Sequence, residues 1–155
     1  MCASVLCRRT WADARRAACL EQGLSFVSET VFSHPSKLDL MQHARGAGFS
    51  VVLLVVCVDD PTQLIARVAQ RVAEGGHAVP AERILARYPR TLQHLRQAIP
   101  MADLALLYDT SGVGRAGVAG PRLVARWRHG QWHWQVARPP AWAKSLQPQS
   151  PNGET

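Results

Sequence analysis

The sequence predicts an α/β fold with a parallel sheet, on three observations. Apolar runs short enough for strands alternate with longer segments of helical character. The run from Phe49 to Val58 is β-branched or apolar nearly throughout, the pattern of a parallel strand covered on both faces, which places it near the middle of the sheet. Asp60-Pro61 then supplies a capping residue and a proline suited to a first helical turn, so this strand feeds directly into a helix.

The remaining elements follow in order. Thr10 and, three residues later, Asp13 form a capping-box pattern, and the Ala/Arg-rich run behind them stops at Gly23, which predicts a helix over about 10–22. Leu24 to Glu29 is short and apolar enough for a strand. Ser33 to Ser36 is a polar turn in which Pro35 opens a second helix, over about 35–46. The helix after Asp60-Pro61 reaches about Glu74, and Pro80 opens a fourth, which Pro89 is expected to interrupt near its middle. Ala102 to Tyr108 is another buried strand, and Arg122 to Val136 a hairpin turning at His129-Gly130. In such a sheet ligands bind beyond the C-terminal ends of the parallel strands.

A chain of 155 residues holds one ordinary core. The sequence divides into a domain over 1–137 and a tail over 138–155 whose Pro, Ser and Gln content predicts disorder. No apolar run approaches the roughly 20 residues of a membrane-spanning helix. Val5 and Leu6 give way at once to Arg8-Arg9, so the chain lacks the apolar core of a secretory signal and a cytoplasmic location is expected, with no membrane partner. Cys2, Cys7, Cys19 and Cys57 form no C-x-x-C pair and no zinc-ligand spacing, which predicts reduced, structural thiols and no metal site of that kind. The net charge of +7 rests on sixteen arginines against Lys37 and Lys144. That balance suits a nucleotide phosphate as well as a nucleic acid.

The arginines are densest between Arg67 and Leu95, where five flank the turn Gly75-Gly76-His77. Guanidinium is planar, permanently charged and able to donate two parallel hydrogen bonds to phosphate oxygens. Arg67 and Arg71 lie four apart; Arg83, Arg87 and Arg90 follow at spacings of four and three. Each set stripes one helix face, and the glycine turn can fold the stripes toward each other like a lid. The same pattern also describes solvated faces of surface helices. Asp59-Asp60 after an apolar run has the form of a Walker B magnesium site, but helix capping explains it more simply.

Several motifs in series resemble the zeta-toxin-like group of P-loop kinases. They are FVSETVFSHPSKLDLMQHARGAGFSV, RVAQRVAEGGHAVP, ILARYPRTLQHL and ADLALLYDTS, and the resemblance they carry runs from about Ala14 to Ser111. The resemblance implies a sheet of the P-loop NTPase kinase type and an ATP- and Mg2+-dependent kinase that phosphorylates a hydroxyl of UDP-N-acetylglucosamine. It places the pair Glu29 and Thr30 at the sugar-nucleotide site, where a carboxylate and a hydroxyl suit sugar hydroxyls. For Glu29 the other reading is a carboxylate capping the helix that opens at Pro35. Arg71, Arg83 and Arg87 become candidates for binding nucleotide phosphates and spreading transition-state charge. His77 stands where some relatives carry another arginine, and it either contacts phosphate or packs its own loop. Ser33, His34 and Lys37 also match the family pattern, and an antitoxin protein is an implied partner.

Two parts of the family pattern are missing. A P-loop kinase uses G-x-x-x-x-G-K-[ST], whose amides cradle phosphates while its lysine and hydroxyl hold the transferred group and magnesium. No segment of this sequence has it: Lys37 is followed by Leu38, and the glycines between 112 and 120 lead to no Gly-Lys. The acidic motif supplying the family's catalytic base is missing as well. The expectation is an N-terminally truncated family member with an incomplete sheet, poor or inactive in phosphotransfer and without catalytic residues of its own. Two other classes compete with it. One is a non-catalytic remnant that binds a protein or a nucleotide; the other is a basic nucleic-acid-binding protein using the arginines with Trp127, Trp132 and Trp134.

Overall fold

The computed structural model describes residues 3–112 and 120–148. Cys2, residues 113–119 of the glycine-containing segment and residues 149–155 of the tail lie outside the described residues. The elements run α1 (Ala3–Glu21), α2 (Ser36–Gly46), β1 (Val52–Cys57), α3 (Thr62–Ala73), α4 (Ala81–Ala98), a 3-10 turn (Ile99–Met101), β2 (Leu104–Asp109), β3 (Arg122–Arg128), β4 (Gln131–Trp134) and α5 (Ala141–Leu146). They form one mixed sheet in the order β1-β2-β3-β4. Only β1 and β2 are parallel; β3 and β4 join antiparallel, so the sheet is α/β in class but not parallel throughout.

Most boundaries follow the local chemistry. Gly23 (φ +67) ends α1, with the Leu24 amide reaching the Cys19 carbonyl at 2.9 Å. α1 begins seven residues before Thr10, because the stretch from Ala3 holds no helix breaker and the capping-box pattern lies inside a continuing helix. The turn between β3 and β4 places His129 (φ 50) and Gly130 (φ 77) both in the left-handed region, the type I′ geometry whose twist matches a hairpin. Pro89 sits inside α4 without ending it. The Arg90 side chain supplies the Ala86 carbonyl with a donor at 2.9 Å, in the turn where the proline ring disturbs the backbone ladder.

Three expectations are corrected. Leu24 to Glu29 forms no strand: it pairs with nothing, and Leu24 and Val27 are exposed. A strand is stabilised by its neighbours more than by its own propensity, and this segment has none. The strand at Phe49 to Val58 is neither central nor covered on both faces; β1 is an edge strand with Val52, Leu54 and Val56 more than half exposed. The tail predicted to be disordered carries α5, whose Trp142, Ala143 and Leu146 are almost wholly buried. Three apolar side chains on one face of that short helix bury enough surface to outweigh the Pro-rich composition around it.

Among the described residues, the core lies on one face of the sheet. Val55, Ala105, Leu107, Val124 and Ala125 meet Phe32, Met41, Leu95, Ile99, Trp142 and Leu146 in a single core. Helices α2, α4 and α5 are therefore on one side, and α3 contributes no buried residue.

Candidate functional site

Because β1 and β2 are parallel, their C-terminal ends share one edge, and the backbone there is closely tied. The Thr110 amide and hydroxyl both donate to the Cys57 carbonyl, at 2.9 and 3.1 Å. Ser111 Oγ donates to Asp109 Oδ1 at 2.7 Å and accepts from the Asp59 amide at 2.8 Å. Tyr88 of α4 donates its hydroxyl to the Val58 carbonyl at 2.6 Å, and burial, with Cys57 beside it, pushes the phenol's pKa upward. Burial likewise raises the Cys57 thiol, which is unbonded to other cysteines, as is Cys19. A cleft of about 550 Å³ opens at this edge, lined by Asp59, Asp109, Ser111, Arg122, Arg138 and Pro140 among others.

The carboxylates here are held by the protein itself. Asp60 accepts the amide and hydroxyl of Thr62 at 2.8 and 2.6 Å, which lowers its pKa and closes the first turn of α3. Asp59 Oδ1 accepts the Trp142 amide at 2.9 Å at the start of α5. Asp109 is 5% exposed; its Oδ1 accepts the Trp142 indole N–H at 3.0 Å, and Arg122 lies 3.8 Å from its Oδ2. Asp60 thus caps the helix it opens, as the simpler reading has it, while Asp59 accepts from the first turn of α5 instead. Among the described residues no group of three acidic, histidine or cysteine side chains gathers around a common point.

The lid arginines divide between two helices, as their spacing suggests: Arg71 on α3, and Arg83 and Arg87 four apart on α4. The turn between the helices is built around Arg71. Gly75 takes φ +90, and the Gly76 amide donates to the Arg71 carbonyl at 2.8 Å. A Cβ on Gly76 would lie 2.7 Å from Arg71 Cγ, so the glycine lets the arginine stem pass. Arg71 reaches the carbonyl of His77 at 3.4 Å, while the His77 side chain is exposed. The Arg83 and Arg87 guanidiniums have no protein partner among the described residues. Arg67 serves the fold instead, gripping Thr110 by its hydroxyl and carbonyl, at 3.0 and 2.6 Å, and pinning α3 to the end of β2.

Glu29 and Thr30 are exposed in the irregular segment ahead of α2. That segment is fixed by Phe32, which is buried yet holds φ 61, a conformation costing a bulky residue about 1–3 kcal/mol. Three contacts hold it there: the Phe32 amide donates to Thr30 Oγ1 at 3.2 Å, its carbonyl meets His94 Nδ1 at 3.2 Å, and the Val31 carbonyl accepts from Thr91 at 3.0 Å. Thr91 and His94 belong to α4, one and two turns beyond Arg87. The structure therefore fastens the Glu-Thr segment to the same helix that carries Arg83 and Arg87. At the start of α2 the Ser36 amide donates to His34 Nδ1 at 3.2 Å, and among the described residues no side-chain cap from Glu29 or any other residue closes the helix. Lys37 lines a separate cleft between α1 and α2, and Ser33 is half-buried.

Sequence reasoning missed Arg122 and Arg138 at the strand-end cleft, and Tyr88 beside the end of β1. Arg138 read as a tail residue without fixed surroundings; the burial of α5 just after it brings it to the cleft wall. The one signal in the sequence was the apolar spacing of Trp142, Ala143 and Leu146 after Pro139-Pro140. Trp127, Trp132 and Trp134 pack against the core, the last two edge to face with centroids 5.2 Å apart, and offer no free stacking platform.

No helix among the described residues is long and apolar enough to cross a membrane. No match is found among curated proteins or among solved structures. The family model for zeta toxin matches residues 7–110, which take in most of α1, the Glu-Thr segment, the whole parallel pair and both arginine-bearing helices. That match covers more than half of the 155 residues, and the chain belongs to the zeta toxin family, a kinase-like group of P-loop, nucleotide-binding proteins.

Proposed function

We propose that this chain is a zeta-toxin-like kinase domain whose retained activity is recognition of a sugar nucleotide of the UDP-N-acetylglucosamine class, with phosphotransfer from ATP defective. The observation that carries the reading is the attachment of the Glu29-Thr30 segment to α4 through Thr91 and His94, on the helix that bears Arg83 and Arg87. In this reading Glu29 and Thr30 bind sugar hydroxyls, while Arg71, Arg83 and Arg87, with His77 at the turn, bind the diphosphate. Transfer fails because the sequence contains no G-x-x-x-x-G-K-[ST] cradle to hold the phosphates and the transferred group. Cytoplasmic placement and an antitoxin partner accompany the proposal as family properties.

A fluorescent UDP-N-acetylglucosamine analogue titrated at near-physiological salt tests it. Arg71→Ala with Arg87→Ala, and separately Glu29→Gln, should weaken binding at least about tenfold, while Arg45→Ala on α2 leaves it unchanged. Equal weakening by Arg45→Ala would reduce the arginines to diffuse positive charge and overturn the assignment. Turnover on the order of 1 per second with magnesium-ATP would refute the defect in transfer.

A further inference from the structure

Among the described residues, no core side chain packs on the face of the sheet opposite α2, α4 and α5. Strand register sets Val52, Leu54 and Val56 of β1 beside Leu104, Leu106 and Tyr108 of β2 on that face. The three β1 side chains are 57%, 61% and 62% exposed, whereas the alternate residues Leu53, Val55 and Cys57 join the core. Parallel strand pairs are ordinarily covered on both faces, so this side is a layer left open. The same face continues across β3 and β4 as Arg126, Arg128 and His133, all exposed. An apolar strip is thus bordered along one side by two guanidinium groups.

We propose that this face docks an amphipathic helix of a partner chain, with its apolar stripe on Val52, Leu54, Val56 and Leu106 and its acidic residues against Arg126 and Arg128. The dimensions agree. A six-residue strand is about 20 Å long, the length of a helix of about 13 residues, and two strands side by side make a strip about as wide as a helix. A strand added to the open edge of β1 would lengthen the sheet and leave the face uncovered. A second copy of this chain would bring together two molecules of net charge +7, whereas an acidic helix is drawn to the same charge.

The test uses two synthetic amphipathic peptides of about 18 residues, each with leucine on one face. One carries glutamate along the flank of that face and the other lysine. Fluorescence anisotropy with the full chain at near-physiological salt should show saturable binding of the glutamate peptide and none of the lysine peptide. Leu54→Asp should weaken binding at least about tenfold, and Arg126→Ala with Arg128→Ala about tenfold with a shallower salt dependence. Circular dichroism confirms that each variant is folded; Val56→Thr, which keeps β-branching, replaces Leu54→Asp if the latter unfolds and should act in the same direction. Absence of saturable binding, equal binding of both peptides, or binding indifferent to the β1 substitution overturns the proposal. Sedimentation showing self-association that Leu54→Asp abolishes also overturns it, by making the occupant a second copy.

Discussion

Replacing Trp142 tests whether the short C-terminal helix belongs to the fold. The side chain is 2% exposed, and its indole N–H donates to Asp109 Oδ1 at 3.0 Å. Truncating a buried aromatic to alanine costs about 3–5 kcal/mol. Trp142→Ala also removes a donor from a buried carboxylate, which places it toward the top of that range. Trp142→Phe keeps most of the apolar volume and loses the donor alone, for which about 1.5–3 kcal/mol is typical of a charged acceptor. Ser111 still donates to the same oxygen and Arg122 remains near the other, so the lower end applies. Against a total stability of about 5–15 kcal/mol, the alanine variant should lose a large share and the phenylalanine variant a modest one. Urea unfolding followed by far-UV circular dichroism measures both, with the slope checked for constancy. If the two variants lie within about 0.5 kcal/mol of the parent, the range for surface substitutions, then α5 is not holding the strand ends and the reasoning fails.

Gly76→Ala forces a Cβ to within 2.8 Å of the Arg71 carbonyl, so the turn must open; a loss of about 1–3 kcal/mol is expected in thermal melting, and an unchanged midpoint would mean the close approach is absent. Tyr88 supplies a pH test. Its pKa is raised in the folded state, so the unfolded chain loses its proton first, and the stability it contributes is complete below the ordinary tyrosine value near 10 and lost as pH rises through the folded value. Unfolding of Tyr88→Phe should therefore show a shallower decline above about pH 10 than the parent, and identical slopes would contradict the buried hydrogen bond. Arg67→Ala unpins α3 from Thr110, so amide exchange in Thr62–Ala73 should quicken while β1 and β2 keep their protection; unchanged exchange would show that the clamp is idle.

Local chemistry made much of the fold legible. Pro35, Asp60-Pro61 and Pro80 mark helix starts that the structure keeps, because each acts within one turn of the chain. The hairpin at His129-Gly130 is likewise a local matter of backbone handedness. Features set by distant partners were hidden. Leu24 to Glu29 has strand-like composition but no strand to pair with, and the apolar run at β1 does not reveal that its outer face is uncovered. The arginine spacing correctly separated Arg71 from the Arg83 and Arg87 pair, yet the same residue type at 67 turned out to be a clamp. Nothing in spacing distinguishes a guanidinium that grips Thr110 from one left free. Arg138 and Tyr88 were hidden for the same reason, since their places depend on α5 and on the end of β1.

The strand order also carries a consequence for the path of folding. The β3-β4 hairpin closes through two residues and can form on the roughly 1–10 μs scale of isolated hairpins. Pairing β1 with β2 instead joins residues 52 apart in sequence, and the chain entropy of that loop is lost before any ladder bond compensates it. Docking α3 and α4 onto each other shortens the effective loop, so the arginine-bearing helices act as the scaffold on which the parallel pair closes. The contact between Val51 and Asp103, at 2.7 Å, then fastens the end of the ladder where β1 and β2 begin. In a refolding experiment, protection should reach the hairpin amides first and the β1 amides last.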